Sequence, residues 1–214
     1  GSTFDETRTH DIGDNFVQEG LAYRITPFNT KAPGAKNFDT EKVYNNVMNR
    51  FKWGGLDKPG LYIDETVMRM CYTHRHLLAQ LAMQLIAEGQ NAKAEKVLRK
   101  AEKVLPEYNV PYTFLSGAAD MARAYALIGK KADAARILNK VWADAKSYAD
   151  YYLQLTGSRF MMSQNDVLRQ LYIMQNIADI TQACDHSLAD QRLKTVNALY
   201  AVYQAKGGAP YDGE

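Results

Sequence analysis

Leu78–Pro106, LAQLAMQLIAEGQNAKAEKVLRKAEKVLP, decides the fold. Leu78, Leu81, Ala82 and Leu85 recur at three- and four-residue spacing, as do Ala94, Leu98 and Ala101, so each half carries the apolar stripe of an amphipathic helix. Gly89 lies between the halves, where a helix ends in a left-handed conformation without a Cβ clash. Adding 40 to each number gives Ala118, Met121, Ala122, Tyr125, Gly129, Ala134, Leu138 and Val141, so the small residues and the turn glycine recur in register. Only Pro106 has no counterpart; Lys146 stands in its place. Ala82 with Ala94, and Ala122 with Ala134, let paired helices approach closely while the larger side chains fill the space between.

This helix–turn–helix pattern resembles the tetratricopeptide repeat, whose period is about 34 residues, with PEYNVPYTFL supplying the additional length. The expectation is an all-α fold of tetratricopeptide-like helical hairpins wound into a right-handed superhelix, with an N-terminal extended arm and helical caps. The repeats span about 75–108 and 115–148. A helical cap over about 163–205 carries Leu168, Leu171, Ile177, Ile180, Cys184, Leu188, Val196 and Tyr203, because an array end exposes an apolar face that needs covering. The helical domain runs over 39–206, after an N-terminal segment 1–38 and before a frayed tail 207–214.

Upstream, FVQEGLAYRITPF (Phe16–Phe28) places Leu21, Tyr23 and Ile25 on one side, the period-2 pattern of a strand, with no partner strand evident downstream. Asp39 or Thr40 caps a helix through about Lys52 with Val43, Val47, Met48 and Phe51 on one face. RFKWGGLDKPGLYIDETVMRM (Arg50–Met70) reads as a corner, with Trp53, Leu56, Leu61, Tyr62 and Ile63 as a plug and Gly54, Gly55 and Gly60 as turn residues. Asp64 and Glu65 then favour the start of the next helix, where the backbone dipole is positive. Helix breaks are expected at Gly89, at Pro106–Pro111, at Gly129 and at Thr156–Ser158. Ser163 with Asp166 has the form of a capping box, and CDHS around Asp185 splits the last helices.

The bulk numbers exclude several classes. With 46% apolar residues the chain can bury a core, and 26 basic against 24 acidic side chains leave a formal net charge of +2 with no basic block, so no nucleic-acid partner is expected. Cys71 and Cys184 read as two buried free thiols, a long-range disulfide being the alternative. Gly1-Ser2 without a methionine reads as the remnant of a cleaved tag. The lack of a signal peptide, or of an apolar run of about 18 residues, therefore carries no information on the parent protein.

No motif for catalysis, cofactor or metal is evident. In MCYTHRH, Cys71 and His74 could share a helix face, but His74 and His76 diverge and no second cluster completes a ligand set. Asp64, Glu65, Asp120, Asp144, Asp150 and Asp166 could supply the paired acids of glycoside chemistry; helix starts and i, i+4 pairs account for them better. Tyr148, Tyr151 and Tyr152 could stack on sugar rings, or bury a ring and keep a hydroxyl wet.

In tetratricopeptide proteins the first helix of each repeat lines a concave, peptide-binding groove. The matching candidate groove residues are His76, Ala79, Met83 and Ile86, then Ser116, Ala119, Arg123 and Leu127. The Lys/Asn set that clamps a terminal carboxylate in many such proteins is missing, and the groove is either open to a ligand or filled by the chain's own terminal helices.

The order QEGLAYRITP, YNNVMNRFKWGGLDKPGLYIDETVMRM, LIAEGQNAKAEKVLRKAEKVLPEYNVPY and DYYLQL resembles the C-terminal region of a bacterial family of multi-pass membrane proteins of unknown function, itself similar to protein O-mannosyltransferases. The resemblance implies a non-catalytic helical domain tethered to the inner membrane on the periplasmic side of the cell envelope, beside a lipid-linked-sugar glycosyltransferase part that holds the catalytic acids. Its partner would be a protein or its own membrane domain, with saccharide recognition as the alternative.

Overall fold

The computed structural model describes residues 13–209 apart from Gly34, and the chain divides into two units, Gly1–Pro111 and Tyr112–Glu214. The expected tag remnant, Gly1-Ser2, lies outside the described residues. The described chain is mostly helical, as its periodicity requires.

In the first unit the described residues begin with a 3-10 turn and a small antiparallel hairpin, β1 (Phe16–Gln18) and β2 (Tyr23–Ile25), with Val17 opposite Arg24. The expected single strand is thus two: the chain reverses at Glu19–Ala22, closed by Glu19 N–H donating to Ala22 O at 3.0 Å. Leu21, Tyr23 and Ile25 do not form a buried face; all three are exposed. Gln18 also exchanges backbone bonds with Asn37 and Asp39, which seats the arm beside the next helix.

That helix, α1 (Thr40–Asn45), is capped by the Asp39 carboxylate accepting from Lys42 N–H at 3.0 Å. It does not continue regularly to Lys52 but runs into a π-helical turn, Asn46–Arg50, and leaves it at an extended Phe51. Val43 and Val47 are buried, as the apolar pattern requires. After the corner come α2 (Glu65–Ala87), capped by Asp64 through Val67 N–H, and α3 (Asn91–Val104).

The second unit begins its helices with α4 (Ala118–Leu127) and α5 (Lys131–Gln154). Short α6 (Gly157–Met162), then α7 (Gln164–Gln182) and α8 (His186–Ala205) complete it. Helix α7 packs on α5, and α8 packs back on α7. Asp185 caps α8 through Leu188 N–H at 3.0 Å, so the last two helices are split where CDHS suggested. Ser163 makes no side-chain cap, contrary to the capping-box reading, because its near-helical backbone carries α6 directly into α7; Asp166 pairs with Arg169 instead.

The two hairpins α2–α3 and α4–α5 have the same internal turn. Gly89 and Gly129 adopt φ of 75° and 79°. Gly89 N–H bonds to Ile86 O and Gln90 N–H to Leu85 O, and Gly129 and Lys130 repeat this with Ala126 and Tyr125. This is the paired bonding of a Schellman motif, which satisfies carbonyls that the helix end leaves open. Leu78, Leu81, Ala82, Leu85, Ala94, Leu98 and Ala101 are fully buried, and so are Ala118, Met121, Ala122, Tyr125, Ala134, Leu138 and Val141.

The tail is held rather than frayed as far as it is described. Lys206 Nζ donates to the Leu153 and Leu155 carbonyls, covering the end of α5, and Tyr203 Oη donates to Ala209 O at 2.9 Å. Residues 210–214 of the expected frayed tail lie outside the described residues.

Candidate functional site

The bonds of Arg50–Met70 account for it as a corner. Asn109 Nδ2 donates to Leu56 O at 2.7 Å and Lys58 O at 2.6 Å, and Tyr108 Oη reaches Asp57 O at 2.5 Å. The segment after α3 therefore pins the corner. Arg75, fully buried on α2, in turn holds that segment: Nη2 donates to Leu105 O and Val110 O, and Nη1 to Pro111 O. Trp53, Phe51 and His74 pack ring against ring at 5.7–6.4 Å between centroids. The plug is smaller than its sequence suggested, since Leu61 is exposed and Tyr62 stands 93% exposed.

His74 is part of this aromatic contact and its Nδ1 lies 2.6 Å from Met70 O, while Cys71 beside it is buried. Both cysteines are free; Cys184 is only half-buried, less than its apolar setting suggested. Burial raises both thiols above their ordinary pKa. No group of three potential metal ligands occurs among the described residues.

Five of the six acids singled out in the sequence have the following local structural partners. Asp64 caps α2, Glu65 pairs with Arg69 at 2.6 Å, Asp150 with Lys146 at 2.6 Å and Asp166 with Arg169. Asp144 accepts from Phe114 N–H at 2.8 Å and fixes the turn before α4; burial raises its pKa, opposed by that bond.

The candidate groove residues divide between the units. In the first, His76 is exposed, Met83 and Ile86 are half-buried, and Ala79 is fully buried, leaving no surface for a ligand. In the second, Ser116 is fully buried and its hydroxyl closes the Thr113–Ser116 turn. Ala119 is half-buried and Leu127 exposed, while Arg123 donates to Asn176 Oδ1 on α7 at 2.6 Å. The open positions are therefore His76, Met83 and Ile86 in one unit and Ala119, Arg123 and Leu127 in the other.

Two features escaped the sequence reading. Arg192 on α8 is buried, donating to Thr181 Oγ1 at 2.5 Å and Asn139 Oδ1 at 2.6 Å, with its guanidinium 5.0 Å from the centre of the Trp142 ring. Burial lowers its pKa. The second is a groove of about 240 Å³ between α7 and α8, lined in part by Leu171, Tyr172, Gln175, Val196, Asn197 and Tyr200. The tyrosines that were singled out do meet: Tyr148 stacks on Tyr152, and Tyr151 meets Tyr152 edge to face at 5.3 Å.

No family model, no curated protein and no solved structure matches this chain. Among the described residues, no helix is long and apolar enough to cross a membrane.

Proposed function

We propose that this chain is a non-catalytic interaction domain of tetratricopeptide-like helical hairpins. In this reading it is the C-terminal part of a membrane-anchored, glycosyltransferase-type protein of the bacterial cell envelope, facing the periplasm. Its partner is a protein or its own membrane half. The observation that carries the non-catalytic reading is the structural use of five of the six candidate acids: Asp64 caps a helix, Asp144 holds a turn, and Glu65, Asp150 and Asp166 each face a cation one helical turn away.

Support for an interaction role comes from the bond-for-bond repetition of the turn at Gly89 and Gly129, the device by which helical repeats stack into a binding scaffold. Membrane tethering rests on the resemblance alone. The full reading frame tests that part: numerous upstream membrane spans support it, and a lone secretion signal overturns it. The purified chain tests the rest. Hydrolase or transferase turnover that Asp120→Asn abolishes would reject the non-catalytic reading. Capture of the parent's membrane half, weakened by Arg123→Ala, supports it.

A further inference from the structure

The groove between α7 and α8 has a composition that selects among ligands. Tyr172 and Gln175 lie three residues apart on α7, and Asn197 and Tyr200 three apart on α8, so each helix presents one aromatic ring and one carboxamide on a shared stripe. Leu171 and Val196 lie among them. None of the lining residues is charged, on a chain with 26 basic and 24 acidic side chains. An anionic or cationic ligand would find no counter-charge there.

The two rings differ in setting. Tyr172 is 66% exposed. Tyr200 is half-buried and lies nearly parallel to Tyr203 at 6.0 Å, with an interplanar angle of 25°. Tyr203 is itself fully buried and hydrogen-bonded to the tail, so Tyr200 is backed by a fixed ring. An apolar helix from another chain would cover the rings but leave the Gln175 and Asn197 amides dehydrated without partners, which is costly. A ligand with apolar C–H faces and neutral hydroxyls satisfies both kinds of group.

We propose that this groove is a binding subsite for a neutral saccharide, with a pyranose ring face on Tyr172 and Tyr200 and ring hydroxyls exchanging hydrogen bonds with Gln175 and Asn197. The subsite stands independently of membrane tethering and of the identity of a protein partner.

The test is a titration of the whole chain with cellohexaose, mannohexaose and maltohexaose, followed through backbone amide chemical shifts. The expected result is a saturating shift of α7 and α8 amides with at least one of them. Tyr172→Ala should weaken that binding about tenfold, Tyr172→Phe should retain it within a small factor, and Gln175→Ala should weaken it several-fold. Silence of those amides toward all three sugars overturns the proposal, as does binding that Tyr172→Ala leaves unchanged. Self-association that occupies the groove and is lost in Tyr172→Ala also overturns it, by assigning the groove to a second copy.

Discussion

Arg75 Nη2 donates to the Val110 carbonyl at 2.5 Å from a position with no solvent exposure. With its bonds to Leu105 O and Pro111 O, one guanidinium organises the segment that follows α3. Arg75→Met keeps much of the volume and removes every donor, stranding buried carbonyls, so a loss of about 3 kcal/mol or more is expected in urea unfolding. Arg75→Lys should recover only part of it, because a single ammonium lacks the planar fork. Proteolysis should reveal the corner in Arg75→Met, since Asn109 on the released segment holds it through Leu56 and Lys58. A variant as stable as the wild type would remove Arg75 from this role.

Gly89 and Gly129 offer a matched pair. A Cβ at either would meet nothing within 4 Å, so substitution exposes the backbone cost without a packing clash. Gly89→Ala and Gly129→Ala should each lose about 1 kcal/mol, similar to one another, and the asparagine variants less. Chemical denaturation measures both. A large loss at one site only would mean that the two turns are not equivalent.

Glu88 closes the first unit's arm onto the hairpin, accepting from Lys36 Nζ at 3.0 Å and Thr40 Oγ1 at 2.9 Å. The Lys36 hydrogen bond is the main reason its pKa lies below the ordinary value, against the opposing effect of burial. Glu19 is lowered in the same sense, chiefly by Lys42 and further by Arg24. A carboxylate whose folded pKa is depressed contributes stability that is present at neutral pH and is lost as pH falls below about 4.3 and through the folded value. Proteolysis of the 16–42 arm should therefore accelerate on acidification, and the pH-dependent part should shrink in Glu88→Gln. An arm equally protected in wild type and variant at both ends of that range would contradict the clasp.

Asp144 should behave in the opposite sense. Burial raises its folded pKa, so the native state holds the proton more tightly and stability falls as pH rises from about 3.9 through the folded value. Asp144→Asn can still accept from Phe114 N–H through its amide oxygen. Its melting temperature should exceed the wild type's at pH 7 and converge with it toward pH 4. A variant less stable at pH 7 would show that the charge is favourable there.

The first two hairpins were legible because glycine takes the left-handed φ that ends a helix and alanines fill fully buried positions, and the 40-residue spacing repeats both. The α7–α8 pair was legible only as two helices. Its turn uses Asp185 as a cap in place of a glycine, and its buried face carries Arg192 and Gln170, which interrupt the apolar period. The β-hairpin differs from the single strand expected because the period-2 alternation over Leu21–Thr26 marks only β2, while its partner β1 lies just upstream across the reversal at Gly20, whose φ is 146°. Side-chain-to-carbonyl bonds over long separations, such as Asn109 to Leu56, leave no local pattern. The groove residues came from a repeat template, which assigns positions but does not register that Ala79 and Ser116 are packed shut. Tyr172, Gln175, Asn197 and Tyr200 belong to no template, and their convergence depends on the α7–α8 packing.

Gln170 sits at the other extreme from the satisfied Arg192. It is fully buried on α7, next to the buried Val167, Leu171 and Met174 along the helix, and among the described residues neither its amide nitrogen nor its amide oxygen has a hydrogen-bond partner. Burying an unpaired polar group costs about 1–3 kcal/mol, while an apolar side chain of similar length at the same place costs nothing comparable. Gln170→Met should therefore raise stability by about 1–2 kcal/mol, seen as a higher urea midpoint at unchanged slope. Gln170→Glu supplies the contrast, since an ionised carboxylate there is worse than the amide, and acid should partly restore that variant by protonating it. If Gln170→Met instead unfolds at lower urea, the amide has a partner, an ordered water being the candidate, and the residue joins Arg75 and Arg192 as a polar anchor of the helical core.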